Sequence, residues 1–139
     1  MFICDISVFN KHGKQLLDTY LEPLQVDWRE MVVLLVVEKV PGIAQGRLTP
    51  FLQTDKANVT KLLQTMEHQG LLQREEDPED HRSRTCHLTT KSLALLPKIH
   101  DTMKKWEDHC FRGFTVEELA LFATLRQKVG YNLTGHFDL

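Results

Sequence analysis

The sequence lacks a long hydrophobic run, and it opens without a basic segment followed by an apolar stretch. Its longest apolar run, residues 31–37, has seven residues, whereas a membrane-spanning helix needs about 20. We therefore expect no membrane partner. The start of the chain does not have the pattern of a secretory signal, so we expect a cytoplasmic location.

Closely spaced cysteines are also missing. The three cysteines, Cys4, Cys86 and Cys110, are an odd number at wide spacing, which favours reduced thiols over a disulfide framework or a Cys-x-x-Cys zinc site. The seven histidines do not show the clustered spacing of zinc ligands. We expect no metal site and no cofactor, and we interpret Cys4 as an ordinary apolar thiol.

An excess of charge of one sign is the third absence. The 17 Lys and Arg residues nearly balance the 19 Asp and Glu residues, so net charge neither indicates nor excludes a nucleic-acid partner. No glycine-rich phosphate loop, nucleophile elbow or carboxylate pair occurs in a recognisable motif, and we do not expect an enzyme. A chain of 139 residues, 42% of them hydrophobic, is typical of one globular domain.

The first part of the chain predicts two helices. Apolar residues recur at helical spacing over residues 3–22. Asp27 and Glu30 have the spacing of a capping box ahead of the apolar run, so a second helix begins there and ends before Pro41. Because the run is apolar on all sides, this second helix should lie at the centre of the fold.

The middle of the chain predicts a short helix, a tight turn and a longer helix. The short helix covers residues 44–52, and Asp55 caps a helix over residues 56–69 that Gly70 ends. The predicted core face of this longer helix consists of Val59, Leu62, Leu63 and Met66. The opposite side carries a polar stripe, formed by Ala57, Lys61, Gln64 and His68 with Thr60 and Thr65 at its borders.

The pattern changes after Gly70. Residues 71–76 and 83–88 alternate like two strands around a turn-forming segment, which predicts a β-hairpin. Thr89 then caps a helix over residues 90–112, whose expected buried side is Leu93, Leu96, Ile99, Met103 and Trp106. Thr115 and Glu118 form a second capping box, and the last helix is predicted to run to about Val129, where Gly130 stops it.

Residues 43–91 follow the order short helix, tight turn, helix, hairpin and helix, and the hairpin region carries Asp80-His81-Arg82 followed by Leu88-Thr89. In these features the segment resembles the MarR family of bacterial transcriptional regulators. Residues 45–52 match the first helix of the family's helix-turn-helix, residues 55–63 match its recognition helix, and the hairpin motifs, the most specific match, fit the family's Asp-x-Arg and Leu-Thr pattern in the wing. Ser92 replaces the usual glycine, and Arg84 and Thr85 replace the usual apolar residues. The flanking helices fit in order and length, so the resemblance covers nearly the whole chain.

The resemblance implies a mainly α fold with a small β-hairpin wing, namely a winged helix-turn-helix with dimerisation helices at both ends. On this interpretation residues 1–139 form a single MarR-like domain. Residues 1–24 and 113–139 provide the dimerisation helices, residues 27–91 the winged helix-turn-helix, and residues 90–112 the connecting helix. The implied assembly is a homodimer.

The resemblance also implies that the polar stripe binds double-stranded DNA. A helix fits the major groove, where lysine donates to guanine and asparagine or glutamine pairs with adenine. The candidate contacts are Lys56, Asn58, Thr60, Lys61 and Gln64 on the helix, with Arg82 and Arg84 on the wing. Arg82 would enter a narrow minor groove, positioned by Asp80. The alternative for the stripe is an ordinary solvated face.

The implied function is that of a dimeric repressor on a pseudo-palindromic operator, released by an effector. A small aromatic or amphipathic effector would bind near Tyr20, Trp28, Arg29 and Trp106, for which core packing is the alternative. Residues 75–80 hold five acids in six positions, which favours a rival interpretation as a winged-helix module that binds protein and not DNA. A regulator with a thiol or metal switch is a further alternative.

Overall fold

Helices form most of residues 1–135, the part of the chain that this computed structural model describes. The last four residues of the predicted dimerisation segment 113–139 lie outside the described residues. The elements are α1 (Phe2–Leu21), α2 (Trp28–Lys39), α3 (Thr49–Leu52), α4 (Lys56–His68), β1 (Leu72–Glu76), β2 (Arg84–Leu88), α5 (Thr90–Cys110) and α6 (Val116–Thr134), with short 3-10 turns at Glu22–Leu24 and Gln45–Leu48. No helix within these residues is long and apolar enough to cross a membrane.

Two helices begin with the predicted capping boxes. At α2 the Glu30 N–H donates to Asp27 Oδ1 at 2.9 Å, and the Asp27 N–H donates to Glu30 Oε1 at 3.4 Å. At α6 the Glu118 N–H donates to Thr115 Oγ1 at 3.1 Å, and Glu118 Oε2 accepts from the Thr115 N–H at 3.0 Å. These bonds satisfy backbone donors that a helix start leaves unpaired, and both predicted starts are confirmed.

The chain folds into two compact units, Met1–Trp106 and the residues from Glu107 onward. The core of the first unit surrounds α2, on which Val33, Leu34 and Val37 are at most 1% exposed. The predicted central position of this apolar helix is confirmed. Other fully enclosed side chains come from α1, the second 3-10 turn, α3, α4 and α5, namely Leu21, Leu48, Leu52, Leu63, Met66 and Ile99.

The hairpin is antiparallel, with Leu72 opposite Leu88 and Glu76 opposite Arg84. The segment before the second 3-10 turn joins its edge. The Cys86 N–H donates to the Ile43 carbonyl at 2.9 Å, and the Gly42 N–H donates to the Cys86 carbonyl at 3.1 Å. A hairpin alone is marginally stable, so these backbone bonds help to hold the wing against the rest of the unit.

The buried side of α5 differs from the prediction at its first turn. Leu93 is 56% exposed, whereas Ser92 is fully buried. A period of 3.6 residues lets either position 92 or position 93 share a face with Leu96, and the side chain at the helix start decides between them. Ser92 Oγ accepts from the Thr89 N–H at 2.8 Å, and Thr89 Oγ1 accepts from the Ser92 N–H at 3.1 Å. This reciprocal cap turns Ser92 inward and Leu93 outward.

The second unit shows one further difference. Gly130 was expected to stop α6, but the helix continues to Thr134 and ends at Gly135, which has a φ of 76°. A glycine inside a helix costs about 1 kcal/mol relative to alanine, which does not by itself end a helix. The Gly135 N–H donates to the Tyr131 carbonyl at 2.8 Å and closes the last turn. None of the α6 residues is buried.

Candidate nucleic-acid interface

Local chemistry sets both ends of α4, the candidate recognition helix. Asp55 Oδ1 accepts from the Asn58 N–H at 2.8 Å and caps the first turn. The chain leaves the helix at Gly70, whose φ of 72° suits glycine and is costly for other residues. Val59, Leu63 and Met66 are buried and Leu62 is half-buried. The helix and its core face are therefore as the sequence predicted.

Most of the predicted DNA-contact residues of α4 are free to meet a partner. Lys56, Asn58, Lys61 and Gln64 are exposed. Exposed lysines and exposed amides on one helix offer hydrogen-bond donors and acceptors that can match the base edges of a major groove. Contact of these side chains with DNA stays a prediction.

Thr60 differs from its neighbours because its hydroxyl is already engaged. Thr60 Oγ1 accepts from Gln45 Nε2 at 2.9 Å and donates to the Lys56 carbonyl at 3.0 Å. The residue is half-buried. The structure thus brings Thr60 together with the 3-10 turn before α3. Lys61 and Gln64 lie in the exposed stripe, and Lys56 and Asn58 are exposed in the first turn of α4.

At the wing, Asp80 shapes the turn through the backbone. Asp80 Oδ1 accepts from the Arg82 N–H at 3.0 Å, and the Asp80 carbonyl accepts from the Ser83 N–H at 2.9 Å. Arg82 and Arg84 are both exposed. Asp80 therefore fixes the backbone conformation at Arg82. The Arg82 guanidinium is exposed and available to a partner.

Local contacts engage part of the acidic run of the wing. Glu76 Oε1 lies 2.6 Å from His81 Nδ1, and Glu75 Oε2 lies 3.6 Å from His87 Nε2. Asp77 Oδ1 accepts from the Glu79 N–H at 2.9 Å. The pairs are exposed, so each contributes little to stability. They show that these carboxylates face other wing residues.

Sequence reasoning missed the residues that connect the wing with the helix-turn-helix. Arg74 Nη1 donates to Gln45 Oε1 at 2.9 Å, and Arg74 Nε donates to Glu67 Oε1 at 2.7 Å. The Arg74 side chain is only 6% exposed. A signal was present, because alternate strand residues share a face and buried Leu72 therefore places Arg74 on the inner side. An inward arginine needs partners.

The predicted effector residues form two separate contacts. Lys14 Nζ lies 3.9 Å from the centre of the Trp28 ring, and Arg29 Cζ lies 5.7 Å from it. Burial, together with the positive charge of Arg29, lowers the pKa of Lys14. Trp106 Nε1 donates to the Gly13 carbonyl at 3.0 Å. Trp28 and Trp106 are half-buried against the core, as is expected of packing residues, and a pocket formed by them stays a prediction.

A cavity of about 280 Å³ lies elsewhere in the first unit. Its lining comes from the α1–α2 connection, the end of α4 and the start of α5, namely Leu24, Gln25, Val26, Gln69, Leu71, Lys91, Ala94, Leu95 and Lys98. None of the four predicted effector residues is among them. Tyr20 is half-buried on α1.

Within residues 1–135, the cysteines and histidines do not form a metal-binding cluster, and the buried cysteine is not a reactive thiol. Cys86 is fully buried, and burial raises the pKa of its thiol to about 11, so this thiol does not suit a reactive switch. Cys4 and Cys110 are exposed. In the same part of the chain, no three His, Cys, Asp or Glu side chains are grouped so that they could hold a metal ion.

Known proteins share this arrangement. Residues 24–83 match a family model described as the MarR family. A crystal structure of MarR is 26% identical and has a TM-score of 0.83, with 95% of this chain and 96% of that chain covered. A mutant MarR from E. coli complexed with operator DNA is also 26% identical, with a TM-score of 0.78 and 89% of each chain covered.

A MarR transcriptional regulator from Methanosarcina mazei Go1 shows the same fold at 24% identity, with a TM-score of 0.83 and coverage of 95% of this chain and 96% of that chain. The predicted fold class, mainly helical with a two-stranded wing, is therefore confirmed. The family-model match over residues 24–83 and the shared winged-helix fold together show that the chain is similar to MarR-family transcriptional regulators.

Proposed function

We propose that this protein is a homodimeric, sequence-specific DNA-binding repressor that an effector releases from its operator. The observation that carries the proposal is the combination of an exposed polar stripe on a capped helix with exposed arginines on an adjoining wing. The E. coli MarR of similar structure is bound to operator DNA, which supports the same partner for this chain.

In this proposal α4 enters the major groove. Lys61 and Lys56 donate to guanine or to phosphate, and Asn58 and Gln64 pair with adenine edges. These side chains are exposed, and Lys61 and Gln64 lie on the side of α4 opposite the buried Val59 and Leu63. Thr60 lies on the same helix, but its hydroxyl is bonded to Gln45 and to the helix backbone.

The wing adds contacts beside the groove that α4 occupies. Arg82 reaches a narrow minor groove, where the negative potential is strongest, and Arg84 contacts phosphate. Residues 54–91 contain six basic and seven acidic side chains, so their charges nearly cancel. Binding therefore depends on a few well-placed phosphate contacts, and its salt dependence should be moderate.

Exposed apolar side chains support the dimer. On α1 they are Phe2, Ile3, Ile6, Val8 and Phe9, and on α6 they are Val116, Leu119, Leu121, Phe122, Leu125, Val129, Tyr131 and Leu133. Large apolar surface of this kind marks interaction sites. A twofold dimer would place two copies of α4 in successive major grooves about 34 Å apart, which requires an inverted repeat.

Effector release is proposed on chemical grounds. Lys14 and Arg29 place positive charge beside the Trp28 ring, and this chemistry suits an aromatic or amphipathic acid. Such a ligand lowers DNA affinity only if it binds better to the form that cannot bind the operator. This part of the proposal is tested by adding benzoate-type acids to the protein–operator complex and measuring the affinity for the operator. The affinity should fall for the parent protein and should change less for Trp28→Leu.

Sequence selection from random duplex DNA tests the proposed function. The parent protein should enrich an inverted repeat with half-site centres about one helical turn apart. Lys61→Ala should relax the preference at one position, with a cost of about 1–3 kcal/mol for a base contact, and Arg82→Ala should weaken binding. Lys105→Ala, a change of an exposed lysine on α5, is the control and should leave selection unchanged.

A second candidate function is a winged-helix module that binds protein. The observation that favours it is the set of exposed carboxylates on the wing, Glu75, Glu76 and Glu79, which would repel a phosphate backbone. In that case no repeat is enriched even at low salt, and neither Lys61→Ala nor Arg82→Ala changes DNA binding.

A further inference from the structure

We infer that Gln45 and Arg74 are positioning residues that fix the recognition helix α4 relative to the wing, and that Thr60 belongs to this connection and does not read a base. The inference rests on the proposed DNA-binding function. On the sequence alone, Thr60 is a candidate DNA contact, and neither Gln45 nor Arg74 has a predicted role.

The direction of each hydrogen bond in this connection is determined. Arginine can only donate, so the Gln45 oxygen must face Arg74 Nη1, at 2.9 Å. The Gln45 amide nitrogen is then directed at Thr60 Oγ1, also at 2.9 Å. Thr60 in turn donates to the Lys56 carbonyl at 3.0 Å. An ordered series of bonds therefore runs from β1 through the 3-10 turn to the first turns of α4.

Arg74 also holds α4 at a second point. Its Nε donates to Glu67 Oε1 at 2.7 Å. Thr60 and Glu67 are seven residues apart, which is about 10 Å along a helix and nearly two full turns, so both lie on the same side of α4. One guanidinium thus holds the helix at two separated points, directly at Glu67 and through Gln45 at Thr60. Two points of attachment restrict rotation of α4 relative to the wing, which one point could not do.

Burial makes the connection specific. The Arg74 side chain is 6% exposed and the Glu67 side chain is 31% exposed, and Gln45 and Thr60 are half-buried. Where water competes weakly, hydrogen bonds are stronger and unpaired groups are costly. The planar fork of arginine also fixes the angle between its two partners. The hydrogen bonds of Arg74 with Gln45 and Glu67 therefore favour one relative position of β1, the 3-10 turn and α4.

A fixed angle matters because base contacts tolerate little displacement. A binding constellation must be held within about 0.5 Å and 10–20° of its productive geometry. The α4 stripe and Arg82 sit on different elements, so their simultaneous contact with DNA depends on the connection between those elements. Phosphate contacts carry no sequence information and are less demanding. Loss of the connection should reduce specific binding more than non-specific binding.

The test uses the full chain with Gln45→Leu, Thr60→Val and the double variant, on the selected operator duplex and on a scrambled duplex. We expect each single change to weaken operator binding about tenfold, about 1.4 kcal/mol, while binding to the scrambled duplex changes less than about twofold. The double variant should be no weaker than either single variant, because both changes break the same connection. Thr60→Val should keep the parent's base preference at every position.

Two further variants separate positioning from general damage. Thr102→Val is the matched control, because the buried Thr102 hydroxyl likewise donates within its own helix, to the Lys98 carbonyl of α5 at 2.8 Å; it should behave like the parent. Gln45→Glu keeps an acceptor for Arg74, and its carboxylate can accept from the Thr60 hydroxyl in place of the lost amide donor, so it should retain more operator affinity than Gln45→Leu. Circular dichroism at the assay temperature confirms that each variant compared is folded.

Three outcomes overturn the inference. One is a changed preference at a single base position in Thr60→Val, which would make Thr60 a base-reading residue. Another is additivity of Gln45→Leu and Thr60→Val, and the third is an equal loss of affinity for both duplexes. A parent protein that does not distinguish operator from scrambled DNA contradicts the proposed function itself, whereas discrimination by the parent with additive variants contradicts only the positioning role.

Discussion

Single residues show how burial changes the chemistry of ionisable groups, and Cys86 is the clearest example. Its thiol is fully buried, and burial raises the pKa to about 11. Because the thiolate is the reactive species, we predict that iodoacetamide at neutral pH modifies exposed Cys4 and leaves Cys86 unmodified in the folded protein. Mass spectrometry measures both sites, and denaturant should make Cys86 react. Equal modification of the two thiols without denaturant would contradict this account.

Glu30 gives a pH-dependent prediction. Burial, followed by the negative charge of Asp27, raises the pKa of this carboxyl, and Glu30 Oε2 is buried without a hydrogen-bond partner. A carboxyl whose pKa is raised on folding binds protons more tightly in the folded state, so its contribution to stability is lost as pH rises through the raised pKa. Glu30→Gln should therefore gain stability relative to the parent at neutral pH and show little gain near pH 4.

Urea unfolding at the two pH values measures this difference. Glu118→Gln is the control, because Glu118 occupies the matching capping-box position of α6 but is exposed. A stability difference for Glu30→Gln that does not change with pH would show that burial of the charge is not the cause.

At the scale of elements, the stability of α4 depends on its cap. Asp55 Oδ1 accepts from the Asn58 N–H at 2.8 Å, and loss of such a cap costs about 1 kcal/mol, within a range of about 0.5–2 kcal/mol. We predict that Asp55→Ala lowers the free energy of unfolding by this amount, as measured by urea denaturation. Asp55→Asn keeps an acceptor and should cost much less. Equal losses in the two variants would indicate that the negative charge matters and the hydrogen bond does not.

The elements that the sequence predicted well have local signals. The capping boxes at Asp27 and Thr115, the Asp55 cap and the turn of the hairpin each depend on residues a few positions apart, and the structure shows them where the pattern placed them. The end of α6 was predicted wrongly because Gly130 is also tolerated inside a helix.

Contacts between elements were less accessible to sequence reasoning. Gln45 and Arg74 are separated by 29 positions, and no local rule pairs two such residues. Their contact exists because the wing packs beside the helix-turn-helix, which depends on the whole first unit. The exposed stripe of α4 could be predicted from helical periodicity, but the different environment of Thr60 within it could not.

At the scale of the whole molecule, the apolar surface of α6 predicts association. Leu125 is 48% exposed, and in the proposed dimer it is covered by the partner. Leu125→Lys should weaken dimerisation about a hundredfold, about 3 kcal/mol, because an unpaired ammonium would be buried. Sedimentation equilibrium measures the change. Leu93→Lys, at a leucine of α5 that is 56% exposed, is the control and should leave the dimer intact.

A monomeric parent protein at micromolar concentration, or equal effects of Leu125→Lys and Leu93→Lys, would contradict this assignment of the dimer surface. The operator spacing provides a second check at the same scale, since two recognition helices on a twofold axis require half-sites about one helical turn apart.

The most direct test of the central claim is the affinity of the parent protein for the selected inverted repeat and for a scrambled duplex of equal length, over a series of salt concentrations. We predict that the repeat is bound at least about 10³-fold more tightly at physiological salt, and that the logarithm of each affinity falls linearly with the logarithm of salt concentration. Equal affinity for both duplexes, or affinity that does not change with salt, would contradict the account of this protein as a sequence-specific DNA-binding regulator.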